Sequence, residues 1–322
     1  MRTAIALLVA SLVAASALAQ APRGFTAPTT PWGDPDLQGT WTSDDYIGVP
    51  LQRNPQYGNR LYFTDQEIAE NEKRRQAQAQ NDAQEFAGAD ARITTGPGAG
   101  LVDRGRRPPR QTSLIVDPPD GRMPALTADA MTRRQGIGAG NPNPNPASWE
   151  DFSYYIRCIT RGVAGSILPV IYGNGQQIVQ APGYVMILQE MVHEARVIPL
   201  GNRPHAGAAI RSYMGDARGR WEGNTLVVET TNFLHARTGI GLNGGGTPTS
   251  DALTLTERFT RVEPNVIQYE LAVDDPKTFA RPWKIAFPLT QEPGYQNFEY
   301  ACHEGNYGMH NQLSAARAEE KK

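Results

Sequence analysis

Downstream of residue 176 the chain reads as short apolar segments separated by turn residues, and this pattern limits the fold more than any other feature. Segments 177–180 and 184–191 flank Pro182-Gly183, a turn pair that predicts a hairpin, and 195–200 extends the meander. Segments 211–214 and 220–221 flank an expected turn at 215–219. Glu222-Gly223-Asn224 then turns into 225–231, where Leu226, Val227 and Val228 favour strand. Further strands are expected at 253–261, 266–273, 283–289 and 298–303, with a closing helix near 312–320. Crossover helices long enough for parallel pairing are missing from this half. The expected fold is therefore mainly β: an antiparallel up-and-down barrel of about nine to eleven strands with a short C-terminal helix.

The first half supplies less sheet. Residues 37–42 predict a first strand and 112–116 another. Between them Thr64 and Glu67 form a capping box, and 65–86 is rich in Gln, Glu, Ala, Arg and Lys, which predicts a helix. Its apolar face is thin (Ile68, Ala69, Phe86), so it reads as a surface excursion. The glycine- and arginine-rich stretch 88–111 and the alternating Asn-Pro run 141–146 read as loops. The expected organisation is a signal peptide at 1–19, an extended lead-in at 20–36, and one barrel domain at 37–322 carrying a long helical and loop-rich insertion at 43–111.

Arg2, the apolar run 4–15 and the small residues Ala17 and Ala19 have the layout of a secretory signal, which predicts a periplasmic or secreted protein. No later stretch has the roughly 20 apolar residues of a membrane span. A formal net charge of -2 gives no field toward nucleic acid, and the arginines at 104, 106, 107 and 110 lack interleaved aromatics. In an oxidising compartment the two cysteines, Cys158 and Cys302, are expected to pair, the alternative being two buried thiols.

Gly39-Thr40-Trp41 is similar to the G-x-W signature of lipocalins, whose tryptophan plugs one end of the barrel. The hairpin Arg218-Gly219-Arg220-Trp221-Glu222-Gly223-Asn224-Thr225-Leu226-Val227-Val228 also looks lipocalin-like. Residues 211–233, Asp274-Asp275-Pro276 with Pro282-Trp283, and 300–307 resemble a family of uncharacterised secreted proteins of environmental bacteria. That resemblance implies a calycin-like barrel and an exported protein, and transfers no catalytic residue. The insertion after Trp41 is far longer than a lipocalin first loop.

Candidate chemistry concentrates at Tyr300-Ala301-Cys302-His303-Glu304, read as the end of the last strand. Alternation separates the neighbours: with Cys302 outward to a disulfide, His303 points inward and Glu304 outward, unless the strand ends there and Gly305 lets the chain turn. His303 is a candidate acid or base, against the plainer role of a hydrogen-bonded structural histidine. His193, in Glu190-Met191-Val192-His193-Glu194, is the second, sharing a strand face with Val185, Ile187, Gln189 and Met191. Arg157 and Arg161 flank Cys158, so a disulfide brings one of them toward His303 as an anion stabiliser; an ordinary ion pair is the alternative.

Glu304 completes the catalytic set His303, His193 and Arg157. Tyr184, Trp221, Tyr269, Tyr300 and Arg161 are candidate substrate contacts, although such aromatics equally suit a filled core. His205, His235 and His310 complete the five imidazoles, and no H-E-x-x-H or H-x-H spacing gathers them. A divalent metal is therefore not favoured, and no cofactor is expected. No G-x-S-x-G elbow is present, and Gly244-Gly245-Gly246 reads as a flexible loop.

The sequence therefore points to an exported barrel acting on a small apolar or aromatic molecule by acid/base chemistry of lyase, hydratase or isomerase type. A non-catalytic carrier is the first alternative and an interaction module the second. The oligomeric state stays open.

Overall fold

The computed structural model describes residues 25–85, 105–134, 146–234 and 239–320. The expected signal peptide, most of the 88–111 loop, nearly all of the Asn-Pro run, and His235 lie outside the described residues.

Ten strands form one sheet: β1 (Gly39–Thr42), β2 (Ile115–Asp117), β3 (Gln176–Ala181), β4 (Tyr184–Gln189), β5 (Ala195–Pro199), β6 (Asp216–Glu222), β7 (Thr225–Thr231), β8 (Thr254–Glu263), β9 (Val266–Asp274) and β10 (Trp283–Gln291). The order is β5-β4-β3-β1-β10-β9-β8-β7-β6, with β2 paired beside β10. Every pairing along this path is antiparallel. Nine alternating strands leave the first and last pointing the same way, so closure must be parallel, and a parallel bridge joins Leu200 to Gly219 at the β5–β6 seam. The result is a nearly closed up-and-down barrel.

Four helices accompany it: α1 (Asp65–Glu85), α2 (Ala128–Arg134), α3 (Gly162–Ile167) and α4 (Gly308–Glu319). The capping box of α1 forms as expected, Glu67 N donating to Thr64 Oγ1 at 3.2 Å and Thr64 N to Glu67 Oε2 at 2.8 Å. The insertion returns to the barrel at Gln111, whose Nε2 donates to the Ala286 carbonyl at 2.9 Å, just before β2.

Three local expectations are corrected. The expected turn at 215–219 is mostly strand, because β6 runs from Asp216 through Gly219. A Cβ at Gly219 would stand 2.7 Å from Leu200 and 2.9 Å from Ile198, so this glycine serves the close approach at the seam; the turn lies earlier, at 212–215, closed by Gly215 N on the Ser212 carbonyl at 3.2 Å with Gly215 at φ +69°. Segment 211–214 contributes only a single bridge, Ser212 to Phe233.

Segment 298–303 is not a strand. β10 pairs with β9 on one side and with β1 and β2 on the other, so no edge remains for another neighbour. The chain instead turns on itself, with Cys302 N bonded to the Tyr300 carbonyl at 2.8 Å and Glu304 N to that of Ala301 at 2.9 Å.

Side chains occupy the barrel interior. Trp41, Trp283, Phe259, Tyr269 and Phe287 are fully buried, and the Tyr269 ring lies 5.0 Å from Phe259 and 5.4 Å from Phe287. Among them, β5 and β8 place Arg196 against Glu257 in a two-pronged pair at 2.6 and 2.9 Å, and the Tyr269 hydroxyl donates to Glu257 at 3.1 Å. Tyr269 is thus part of the packed interior. Its hydroxyl is pushed well above the ordinary tyrosine value, by burial first and by the Glu257 charge second.

Candidate functional site

Outside the barrel, the Cys158–Cys302 disulfide joins positions 144 residues apart, with Cα atoms 5.7 Å from each other. It ties the turns before α3 to the loop after β10. Cys158 adopts left-handed backbone (φ 54°), unusual for a non-glycine residue, and its N–H closes a turn onto the Tyr155 carbonyl at 2.9 Å. Asn306 adds a second clasp, its Nδ2 donating to the Ile156 carbonyl at 3.2 Å. Between the two segments lies an open cleft of about 420 Å³, walled by Tyr155 and Ile156 on one side and by Tyr300–Cys302 and Glu304–Asn306 on the other. That volume lies in the range of small-molecule sites.

Behind the cleft is Arg161, with none of its surface exposed. Its Nη2 donates to Asn243 Oδ1 at 2.5 Å, while Nε and Nη1 have no hydrogen-bond partner among the described residues. No carboxylate pairs with it there. Three phenols, Tyr155, Tyr172 and Tyr300, are its titratable neighbours, and the Tyr155 ring centroid lies 5.5 Å from its guanidinium carbon.

Burial pulls the Arg161 pKa down to about 10, which leaves the group cationic at neutral pH. Tyr155 and Tyr300 stay protonated as well. Burial raises Tyr300 to about 12 and also raises Tyr155; Tyr172, a hydrogen-bonding neighbour of both, adds to each shift, and Arg161 only partly opposes them. Tyr172 stacks on Tyr300 with ring centroids 6.1 Å apart.

The triple glycine expected as a flexible loop packs against this arginine. Gly244 has φ +70°, and a Cβ there would stand 2.5 Å from the Arg161 carbonyl; one at Gly165 of α3 would stand 2.2 Å from Gly244 N. The glycine loop therefore packs directly on the backbone of Arg161.

A third segment borders the cluster. β4 ends at Gln189, so strand alternation does not extend to His193. A tight turn follows, with Val192 at φ 62° and His193 at φ 43°; the first is a strained conformation for a β-branched residue. Glu194 emerges from it to accept from Thr160 Oγ1 at 2.6 Å and from the Arg161 backbone N–H. Burial raises the Glu194 carboxyl above its ordinary value despite these bonds. The exposed His193 ring places Nδ1 3.3 Å from the Tyr300 carbonyl oxygen.

Of the residues singled out in the sequence, Tyr300, Cys302 and Glu304 line this cleft, with Arg161 behind it and Cys158 bonded to Cys302. His303, His193 and Arg157 do not line it. His303 is exposed, and Arg157 lies over the Trp149 ring at 4.3 Å and Tyr154 at 5.7 Å. Tyr184 lies elsewhere, on β4, where its hydroxyl accepts from Arg203 at 2.8 Å. Trp221, on β6, packs against the barrel core.

Tyr155 and Tyr172 are two of twelve tyrosines, and nothing local sets Tyr172 apart; a place three residues before Cys158 was the signal that could have singled out Tyr155. Among the described residues no three His, Cys, Asp or Glu side chains gather in a metal-binding arrangement, and no helix is long and apolar enough to cross a membrane. His205 is held between Asp216 at 3.0 Å and Glu229 at 3.2 Å.

No family model, no curated protein and no solved structure matches the chain.

Proposed function

We propose that the protein is an exported binding protein for a small molecule with an apolar or aromatic body, held in the Tyr155–Tyr300 cleft outside the barrel. The observation that carries this reading is the cleft itself. Two segments distant in sequence are clamped by a disulfide and an asparagine bond, and they present tyrosines and an isoleucine across an open volume of about 420 Å³. A purely structural staple needs no such opening. The periplasm or the outside suits the disulfide. The barrel interior is less suited to a ligand, because aromatic side chains and the Arg196–Glu257 pair occupy it.

The test is a calorimetric screen of small aromatic compounds against the wild type and the Tyr155→Ala, Tyr300→Ala and Tyr184→Ala variants. Ligands of the wild type should weaken roughly tenfold or more in the first two variants, since a lost aromatic wall is worth a kcal/mol or more, and bind Tyr184→Ala unchanged. Binding indifferent to Tyr155 and Tyr300 would place the site elsewhere.

An acid/base enzyme of lyase, hydratase or isomerase type is the second reading. It is favoured by left-handed backbone at Cys158, Val192 and His193, all close to a Glu194 carboxyl with raised proton affinity. Turnover of a bound ligand that Glu194→Gln abolishes would establish it. Turnover indifferent to Glu194, His193 and His303 would remove it.

A further inference from the structure

We infer that the ligand of the cleft is a monocarboxylate, seated with its negative charge toward Arg161. This inference rests on the cleft being the binding site and adds the charge and chemical class of what enters it. Arg161 is completely buried, yet two of its three nitrogens, Nε and Nη1, lack partners, and no carboxylate among the described residues balances it. Buried guanidinium groups ordinarily have an acidic partner, because an unpaired charge in a low-dielectric setting is costly to hold. Among the described residues, the one acceptor for its guanidinium is the neutral Asn243 amide. The arrangement fits a group whose counter-charge arrives with a ligand.

The surroundings specify the anion. Tyr155 and Tyr300 line the cleft and also lie within charge range of Arg161, so they occupy the boundary between the guanidinium and the entering molecule. Their protonated hydroxyls are donors. A carboxylate at this boundary accepts from them, and the Arg161 charge immediately behind strengthens those bonds. The aromatic or apolar body is left against Ile156 and the tyrosine rings.

One positive charge balances one negative charge, and among the described residues no cation lines the cleft itself, which leaves Arg161 behind it as the charge that faces a ligand. Arg157 is occupied over Trp149, and Glu304 stands at the rim. A phosphate dianion would bring excess charge toward Glu304, and a neutral ligand would leave Arg161 unpaired. A monocarboxylate avoids both.

Matched pairs test this: benzoate with benzamide, and phenylacetate with phenylacetamide, titrated by saturation-transfer NMR, with inorganic phosphate as competitor. In the wild type at least one carboxylate should bind about tenfold tighter than its amide, and phosphate should not displace it. Arg161→Met should reduce the preference to about twofold or less, Arg161→Lys should keep part of it, and the melting temperatures of both variants show whether they fold.

Carboxylates binding no better than amides, or a preference that survives Arg161→Met, overturns the inference. Displacement by phosphate would contradict the restriction to monoanions. Amides that bind and lose affinity in Tyr300→Ala would leave the cleft standing as the site without its charge selectivity. If neither class binds, both proposals fall.

Discussion

Two buried arginines sit beside tyrosines in this molecule, in opposite electrostatic circumstances. In the barrel interior Arg196 meets Glu257 through two hydrogen bonds, and Tyr269 bonds to the same carboxylate. Burial works against the Arg196 charge, but Glu257 outweighs it and the pKa ends above the ordinary value. Behind the cleft Arg161 is just as inaccessible, lacks a carboxylate, and its pKa falls to about 10. The same residue types serve a closed structural network in one place and leave an open charge in the other. Arg53 is also buried without an ion pair, but Ser113 and the Gly58, Pro119 and Ile115 carbonyls hold its guanidinium; Arg161, with two nitrogens left without partners, is the one that marks the candidate site.

Breaking the closed network should give the largest effect. Glu257→Gln leaves Arg196 buried without its counter-charge and should cost about 3–5 kcal/mol, visible as a lower urea midpoint. A loss below about 1 kcal/mol would mean that water reaches the barrel interior.

Removing the Cys158–Cys302 bridge comes next. A Cys158→Ser/Cys302→Ser variant should lose about 2–4 kcal/mol, keep the far-ultraviolet signature of the barrel, and lose ligand binding at the cleft. Retained binding would show that the Asn306 clasp alone assembles the two walls.

The smallest of these effects is the pH dependence of Glu194. Its folded-state pKa is raised above the ordinary value of 4.5, first by burial, so the protonated form is favoured by folding. That contribution is fully present below the unfolded carboxyl value and is lost as pH rises through the raised one. Glu194→Gln should therefore flatten the decline in stability between acidic and neutral pH. An unchanged profile would assign the decline to another group.

The two regions also differed in how far the sequence revealed them. The barrel was legible because alternation and turn pairs are local signals: Pro182-Gly183 and Glu222-Gly223-Asn224 sit between paired strands in the structure. The disulfide was expected from having only two cysteines in a chain whose first residues read as an export signal. Gly219 misled, since a glycine demanded by a close seam looks like a turn glycine when the partner strand is unknown. Segment 298–303 misled for a related reason: whether a strand can add depends on whether an edge is free, and β10 has none left.

The site was the less legible half. Arg161 was visible beside Cys158, but its lack of an acidic partner is a fact of three dimensions. The left-handed turn at Val192 and His193 contradicts the local preference of those residues. His303 drew attention through its neighbours, yet once its segment leaves the sheet the ring is exposed and the tyrosines take the interior of the cluster.

The central claim, that Arg161 is a buried cation held for an incoming anion, is tested most directly by the stability of Arg161→Met in a buffer free of carboxylates. With no ion pair to break and an unpaired buried charge removed, the variant should melt at or above the wild-type temperature, and added ligand carboxylate should raise Tm only in the wild type. A loss of several degrees, matching that of Glu257→Gln, would show Arg161 to be a structural arginine and contradict the account.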